Sequence, residues 1–85
     1  MAPTPKLALY HFNMCPYCLR VRRAIGKLKL DVELRNIHEG TKHLKELTAA
    51  TGRQTVPVLR ITSADGTVDW MPESSDIIRY LQSLV

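Results

Sequence analysis

Lys6-Leu7-Ala8-Leu9-Tyr10-His11-Phe12-Asn13-Met14-Cys15-Pro16-Tyr17-Cys18 is the stretch that decides the fold. The run from Leu7 to Phe12 is apolar, carries an aromatic at Tyr10 and is too short for a typical helix, so it reads as a buried strand. The cysteines follow directly. Pro16 then opens a stretch in which Val21, Ala24, Ile25 and Leu28 recur at i, i+3, i+4 and i+7, while Arg20, Arg22, Arg23 and Lys27 take the other faces. This is an amphipathic helix with proline at its favoured first position.

Downstream, Asp31 to Ile37 reads as a second strand, with Val32, Leu34 and Ile37 among polar neighbours. Gly40 and Thr41 begin another helix carrying Leu44 and Leu47, and Gly52 is its natural stop. Val56 to Ile61 is a strand, and Ala64-Asp65-Gly66-Thr67 gives the Asp-Gly signal of a hairpin into Val68-Asp69-Trp70. The last helix starts near Ser74, a good N-cap, with Ile77, Ile78, Leu81 and Leu84 or Val85 as its apolar stripe. The order βαβαββα defines an α/β fold. Its first half is a βαβ unit with a parallel strand pair and a right-handed crossover, and its second half is an antiparallel hairpin with a covering helix.

The 85 residues have room for one modest core and are expected to form a single domain over 1–85, without repeats, linkers or low-complexity tracts. With 45% hydrophobic and 24% charged residues the composition is that of a soluble globular protein, and no segment approaches the length of a membrane span. Met1-Ala2-Pro3-Thr4-Pro5-Lys6 lacks the apolar block of a secretory signal, which points to the cytoplasm. The formal charge of +4 comes largely from Arg20, Arg22, Arg23, Lys27 and Lys29. Without interleaved aromatics or a nucleic-acid module, this cluster reads as a solvated helix face rather than a nucleic-acid site. It also raises the local concentration of small anions and favours a nearby thiolate.

Cysteines separated by two residues close too small a loop for a structural disulfide to stabilise much. A reactive pair or half of a metal site remains. Thiol-disulfide exchange needs a thiolate, and Cys15 stands at a helix start, where unpaired N–H groups and the helix dipole favour negative charge. Cys15 is thus the candidate nucleophile. Cys18, one turn further in and less exposed, can attack a mixed disulfide formed on Cys15. The metal alternative pairs Cys15 and Cys18 with His38 and His43 in a zinc-finger type pattern. The 19 residues between Cys18 and His38 exceed the usual finger spacing, so no metal is expected. His11 reads as a packed or hydrogen-bonded residue.

Three segments, in order, resemble the glutaredoxins, and the resemblance spans nearly the whole chain. Cys15-Pro16-Tyr17-Cys18 resembles the dithiol active site, and Thr51-Gly52-Arg53-Gln54-Thr55-Val56-Pro57 resembles the segment that ends in the family's cis-proline. Met71-Pro72-Glu73-Ser74-Ser75-Asp76-Ile77-Ile78 resembles the γ-glutamyl-binding turn of a glutaredoxin subgroup and of the N-terminal domain of glutathione transferases. The resemblance implies a thioredoxin-like fold, a four-stranded mixed sheet flanked by three helices, with Pro57 cis and the Val56 backbone turned toward glutathione. It further implies that Glu73, Ser74, Ser75 and Asp76 hold the γ-glutamyl group, that Arg53 and Gln54 reach the glycyl carboxylate, and that Tyr17 flanks the glutathione sulfur. Two positions depart from the family pattern. Phe12 stands where dithiol glutaredoxins often carry lysine, and Gln54 where arginine is common.

The implied function is glutathione-dependent reduction of glutathione mixed disulfides and protein disulfides, with glutathione as co-substrate and glutathionylated or disulfide-containing proteins as partners. A monomer that binds neither nucleic acid nor membrane is expected. The competing readings are a thioredoxin-like reductant, which needs no γ-glutamyl site, and a module holding a [2Fe-2S] cluster, which the proline after Cys15 disfavours. A glutathione transferase ranks lower, since such enzymes carry a further helical domain.

Overall fold

The computed structural model describes residues 5–85; the stretch 1–4, part of the segment read as lacking a secretory signal, lies outside the described residues. Strand β1 (Lys6–His11) is buried along all but its first residue because helices cover both of its faces. Leu7 and Leu9 enter one apolar cluster and Tyr10 enters another, as strand alternation requires. Helix α1 (Pro16–Leu28) buries Cys18, Val21 and Ile25. Val21 and Ile25 join Leu7 and Leu9 in the first cluster, so the stripe read from the sequence is the one that packs.

Strand β2 (Glu33–Asn36) pairs parallel with β1, and Leu9 meets Leu34 in the register. It is shorter than the expected Asp31 to Ile37. As an edge strand in the order β2-β1-β3-β4 it leaves Leu34 exposed, while Ile37 enters the core just past its end. Helix α2 (Lys42–Thr51) packs Leu47 against Tyr10 and Val58 and stops at Gly52, whose φ of 72° is the left-handed conformation glycine adopts without a Cβ penalty.

Strand β3 (Val58–Thr62) lies antiparallel to both β1 and β4 (Val68–Met71). It begins two residues later than expected because Pro57 has no N–H for the ladder. The hairpin closes on the expected turn, where Thr67 N–H donates to Asp65 Oδ1 at 3.0 Å. Helix α3 (Ser74–Ser83) buries Ile77 and Leu81 against Val21 and Ile25. Each fully buried aliphatic side chain contributes about 1.5–3 kcal/mol. Truncating Leu9, which has no exposed surface, to alanine removes about 2–5 kcal/mol. The result is a thioredoxin-like α/β fold, a mixed four-stranded sheet between α1 with α3 on one side and α2 on the other.

Candidate active site

Cys15 is the N-cap of α1, with extended backbone angles (φ −81°, ψ 118°), and Pro16 follows at the first helical position. A capping side chain normally offers oxygen to the orphan amides of the first turn. Here sulfur does so. Cys18 N–H donates to Cys15 Sγ at 3.3 Å, Leu19 N–H donates to the Cys15 carbonyl at 3.0 Å, and Cys15 N–H donates to the Phe12 carbonyl at 3.3 Å. Cys15 is thereby fixed between the end of a strand and the start of a helix dipole.

Exposure separates the two thiols less than expected, since Cys15 is 5% and Cys18 0% exposed. Burial, and then a hydrogen bond toward Cys15, push the Cys18 thiol up to about 12, opposed by the Phe12 backbone N–H and the Arg22 charge. Cys18 therefore rests as a protonated thiol beside the sulfur it is expected to attack. Both cysteines are free.

Strand register brings the other segments to the same end of the sheet. Tyr10, near the end of β1, pairs with Val58, the first residue of β3, so Val56-Pro57 lies beside the loop that delivers Cys15. Leu59 pairs with Met71, the last residue of β4, so Pro72 and Glu73 emerge at that end too. The Val56-Pro57 bond is cis, as the family resemblance implied. Helix α3 starts one residue differently from the reading of its sequence. Glu73, not Ser74, is the N-cap, and no side chain caps the helix. Ile77 N–H is the first to bond back, to the Glu73 carbonyl at 2.8 Å, so Ser74, Ser75 and Asp76 have the N–H groups of an open first turn.

Arg53 lines a hollow of about 380 Å³ with Thr55, Val58, Trp70 and Pro72. Gln54, Glu73, Ser75 and Asp76 are exposed and Ser74 half-buried; Asp76 Oδ1 lies 3.9 Å from Arg79 Nη1. Tyr17 is 58% and Met14 88% exposed, flanking Cys15 along the chain with apolar surface. A larger hollow, of about 1070 Å³, opens where β1 begins, by Lys6, Lys29 and Thr62, and holds none of these residues.

The zinc-type pattern does not assemble. His38 stacks on Phe12 at 4.8 Å, His43 Nδ1 meets Glu46 Oε1 at 3.2 Å, and among the described residues no three His, Cys, Asp or Glu side chains gather as a metal site. His11 is buried, as expected for a packed residue, yet its Nδ1 finds no partner among the described residues. Burial first, and then the Arg22 charge, lower its pKa from 6.5, with Glu39 opposing them. The charge pattern of the sequence places Arg22 on a solvated helix face. Arg22 is half-buried, and its Nη2 donates to the Asn13 carbonyl at 3.4 Å. Its i+4 spacing from Cys18 was the available signal.

Comparison with known proteins agrees with this geometry. Residues 9–85 match the family model described as the glutathione S-transferase N-terminal domain, and the chain belongs to that family. Its resemblance to glutaredoxins is borne out as well. Glutaredoxin 2 of Escherichia coli K12 is 32% identical over 78 residues, covering 92% of this chain and 34% of that protein. Glutaredoxin 2 of Salmonella typhimurium, solved in complex with glutathione, superposes with a TM-score of 0.71 at 28% identity, over 95% of this chain and 34% of that one. The trimeric glutathione transferase TDR1 of Leishmania gives a TM-score of 0.74 at 27% identity, over 92% of this chain and 17% of its own. The chain thus spans about a third of the length of the curated relative it matches. Lack of a further helical domain in these residues therefore does not separate a glutaredoxin from a transferase.

Proposed function

We propose that this chain carries out glutathione-dependent thiol-disulfide exchange, with Cys15 as nucleophile and Cys18 as resolving thiol. One observation carries the proposal. Cys15 caps α1 with its sulfur, accepting the Cys18 N–H at 3.3 Å, at the end of the sheet where Val56-Pro57 and Glu73 to Asp76 also emerge.

In the monothiol route, Cys15 thiolate attacks the glutathione sulfur of a glutathionylated protein. A Cys15-glutathione disulfide forms as the S–S bond between glutathione and the protein's sulfur breaks, and the protein thiolate takes a proton. A second glutathione thiolate attacks the glutathione sulfur of that mixed disulfide, releasing glutathione disulfide and restoring Cys15. In the dithiol route, Cys15 attacks a protein disulfide and Cys18 then displaces the protein, leaving a Cys15-Cys18 disulfide.

Glutathione is held by the residues that match the family segments. Ser74, Ser75 and Asp76, with their open N–H groups, take the γ-glutamyl carboxylate and ammonium, and Glu73 adds negative charge there. The Val56 backbone beside Pro57 pairs with the peptide, Arg53 and Gln54 face the glycyl carboxylate, and Tyr17 walls the sulfur. We further propose that the protein works as a monomer in the cytoplasm, where such thiols are kept reduced, on glutathionylated and disulfide-bonded proteins.

Glutathione transfer to an electrophile is the second reading, favoured by the transferase family model and the likeness to the Leishmania transferase. Two assays on one preparation separate them. Glutathione-coupled reduction of a small glutathione mixed disulfide, faster than reduction driven by a thioredoxin reductase, supports the exchange reading. Conjugation of glutathione to an aromatic electrophile without mixed-disulfide reduction overturns it.

A further inference from the structure

Arg22 is four residues beyond Cys18, on the same face of α1. Its Nη2 reaches back to the Asn13 carbonyl at 3.4 Å, in the loop between β1 and α1 that delivers Cys15. Its Nε is shielded from solvent and finds no partner among the described residues. No carboxylate pairs with Arg22 among those residues, although Arg35 and Arg79 each meet one. A guanidinium donor held away from solvent without a partner is costly unless an anion offsets it at some stage.

The neighbouring groups identify that anion. Cys15 from the helix cap, the Phe12 N–H from the loop just after β1 and Arg22 from α1 itself are the polar groups acting on Cys18. His11 on β1 comes under the field of Arg22 and of Glu39, from the β2–α2 connection, and burial favours its neutral form. The third element packed there, α3, buries only Ile77 and Leu81. The Cys15 sulfur already accepts an N–H of the first helical turn, whereas Cys18, one helical turn from Arg22 and within its field, becomes an anion only as the ring closes.

Resting on the exchange reading above, we propose that Arg22 is a positioning residue for ring closure in the dithiol route, supplying fixed positive charge beside Cys18 as its sulfur becomes the attacking anion. From a mixed disulfide on Cys15, the Cys18 thiol gives its proton to a solvent base and its thiolate attacks Cys15 Sγ. The Cys15-Cys18 bond forms as the bond from Cys15 to the target sulfur breaks, and the target leaves as a thiolate that is protonated by solvent. The two electrons that reduce the target come from the cysteine pair. Burial and Cys15 hold the Cys18 thiol high, while Arg22 draws it down, so removal of the arginine acts on closure.

The test uses an aromatic disulfide that releases one coloured thiolate when Cys15 attacks and a second on ring closure, followed by stopped flow from pH 6 to 10. In Arg22→Gln the second phase slows by about tenfold or more at pH 7, and its pH profile moves upward by about one unit, equivalent to that factor. Arg22→Lys, which keeps the charge, regains most of the lost rate, and it decides the matter alone if Arg22→Gln does not fold. A second phase with wild-type rate and profile in Arg22→Gln overturns the proposal. So does a second phase in Arg22→Lys at least tenfold below wild type, because charge would then not be the agent. Glutathione disulfide, used as substrate in parallel, tests the parent reading separately. If wild type closes its ring with the aromatic probe but forms no mixed disulfide with glutathione, the glutathione assignment fails while Arg22 is still judged by the probe.

Discussion

The backbone N–H of Cys18 donates to Cys15 Sγ across 3.3 Å, so the residue that carries the second thiol also helps hold charge on the first. The Cys18 thiol, pushed up to about 12 by burial and by its bond toward Cys15, stays protonated through the neutral range. Limited alkylation with iodoacetamide at pH 7 therefore modifies Cys15 at least tenfold faster than Cys18, since the thiolate is the reacting species. Fragment-ion mass spectrometry reads the site. Equal modification of the two would contradict the assignment of roles.

A stability prediction arises at the far end of α1. Lys29 ends the helix in the left-handed conformation (φ 55°, ψ 42°), and the N–H groups of Lys29 and Leu30 bond to the carbonyls of Gly26 and Ile25. Glycine is the usual residue there because a Cβ costs about 1–2 kcal/mol in that region. Lys29→Gly is expected to stabilise the fold by about 0.5–1 kcal/mol net of the added unfolded-state entropy, raising Tm by about 2–8 °C. Calorimetry of the two proteins settles it, and an unchanged or lower Tm would refute the strain.

His11 gives a pH prediction. Burial, with help from Arg22, holds its folded pKa below 6.5, so in the window between that lowered value and 6.5 the unfolded chain binds more protons than the fold. Stability present above about pH 6.5 is lost as pH falls through that window. In His11→Leu this contribution is absent, and urea midpoints should fall less between pH 7 and pH 5 than in wild type. Parallel midpoints for the two proteins would show that His11 takes up no proton on unfolding.

Glutathione recognition at the open first turn of α3 can be read from kinetics. Asp76 is exposed and only loosely paired, 3.9 Å from Arg79, so its substitution disturbs little of the fold. If its carboxylate meets the γ-glutamyl ammonium, Asp76→Asn removes a charged hydrogen bond of about 1.5–3 kcal/mol. KM for glutathione should rise about tenfold or more while kcat stays within about twofold. A KM equal to wild type would remove Asp76 from the site.

Much of this architecture was legible because its signals are local. The α1 stripe, Pro16 at the helix start, the stop at Gly52 and the Asp65-Gly66 turn each depend on neighbours within a turn or two, and all of them stand in the fold. Edge effects were less legible. Leu34 is one of the apolar residues that mark the second strand in the sequence, but only the strand order reveals that helix cover does not reach it. At α3, serine's capping preference pointed to Ser74, whereas the extended residue is Glu73. Arg22 was hidden for another reason. A long side chain can run back along its helix to meet a loop carbonyl, and periodicity records only the direction in which it leaves the backbone.

The most direct test of the central claim is release of glutathione from a glutathionylated protein by wild type, Cys15→Ser and Cys18→Ser in the presence of reduced glutathione. The account predicts that Cys15→Ser abolishes the release and that Cys18→Ser retains it, because Cys15 alone makes the attack. Release at wild-type rate by Cys15→Ser, or its loss in a folded Cys18→Ser, would contradict the account.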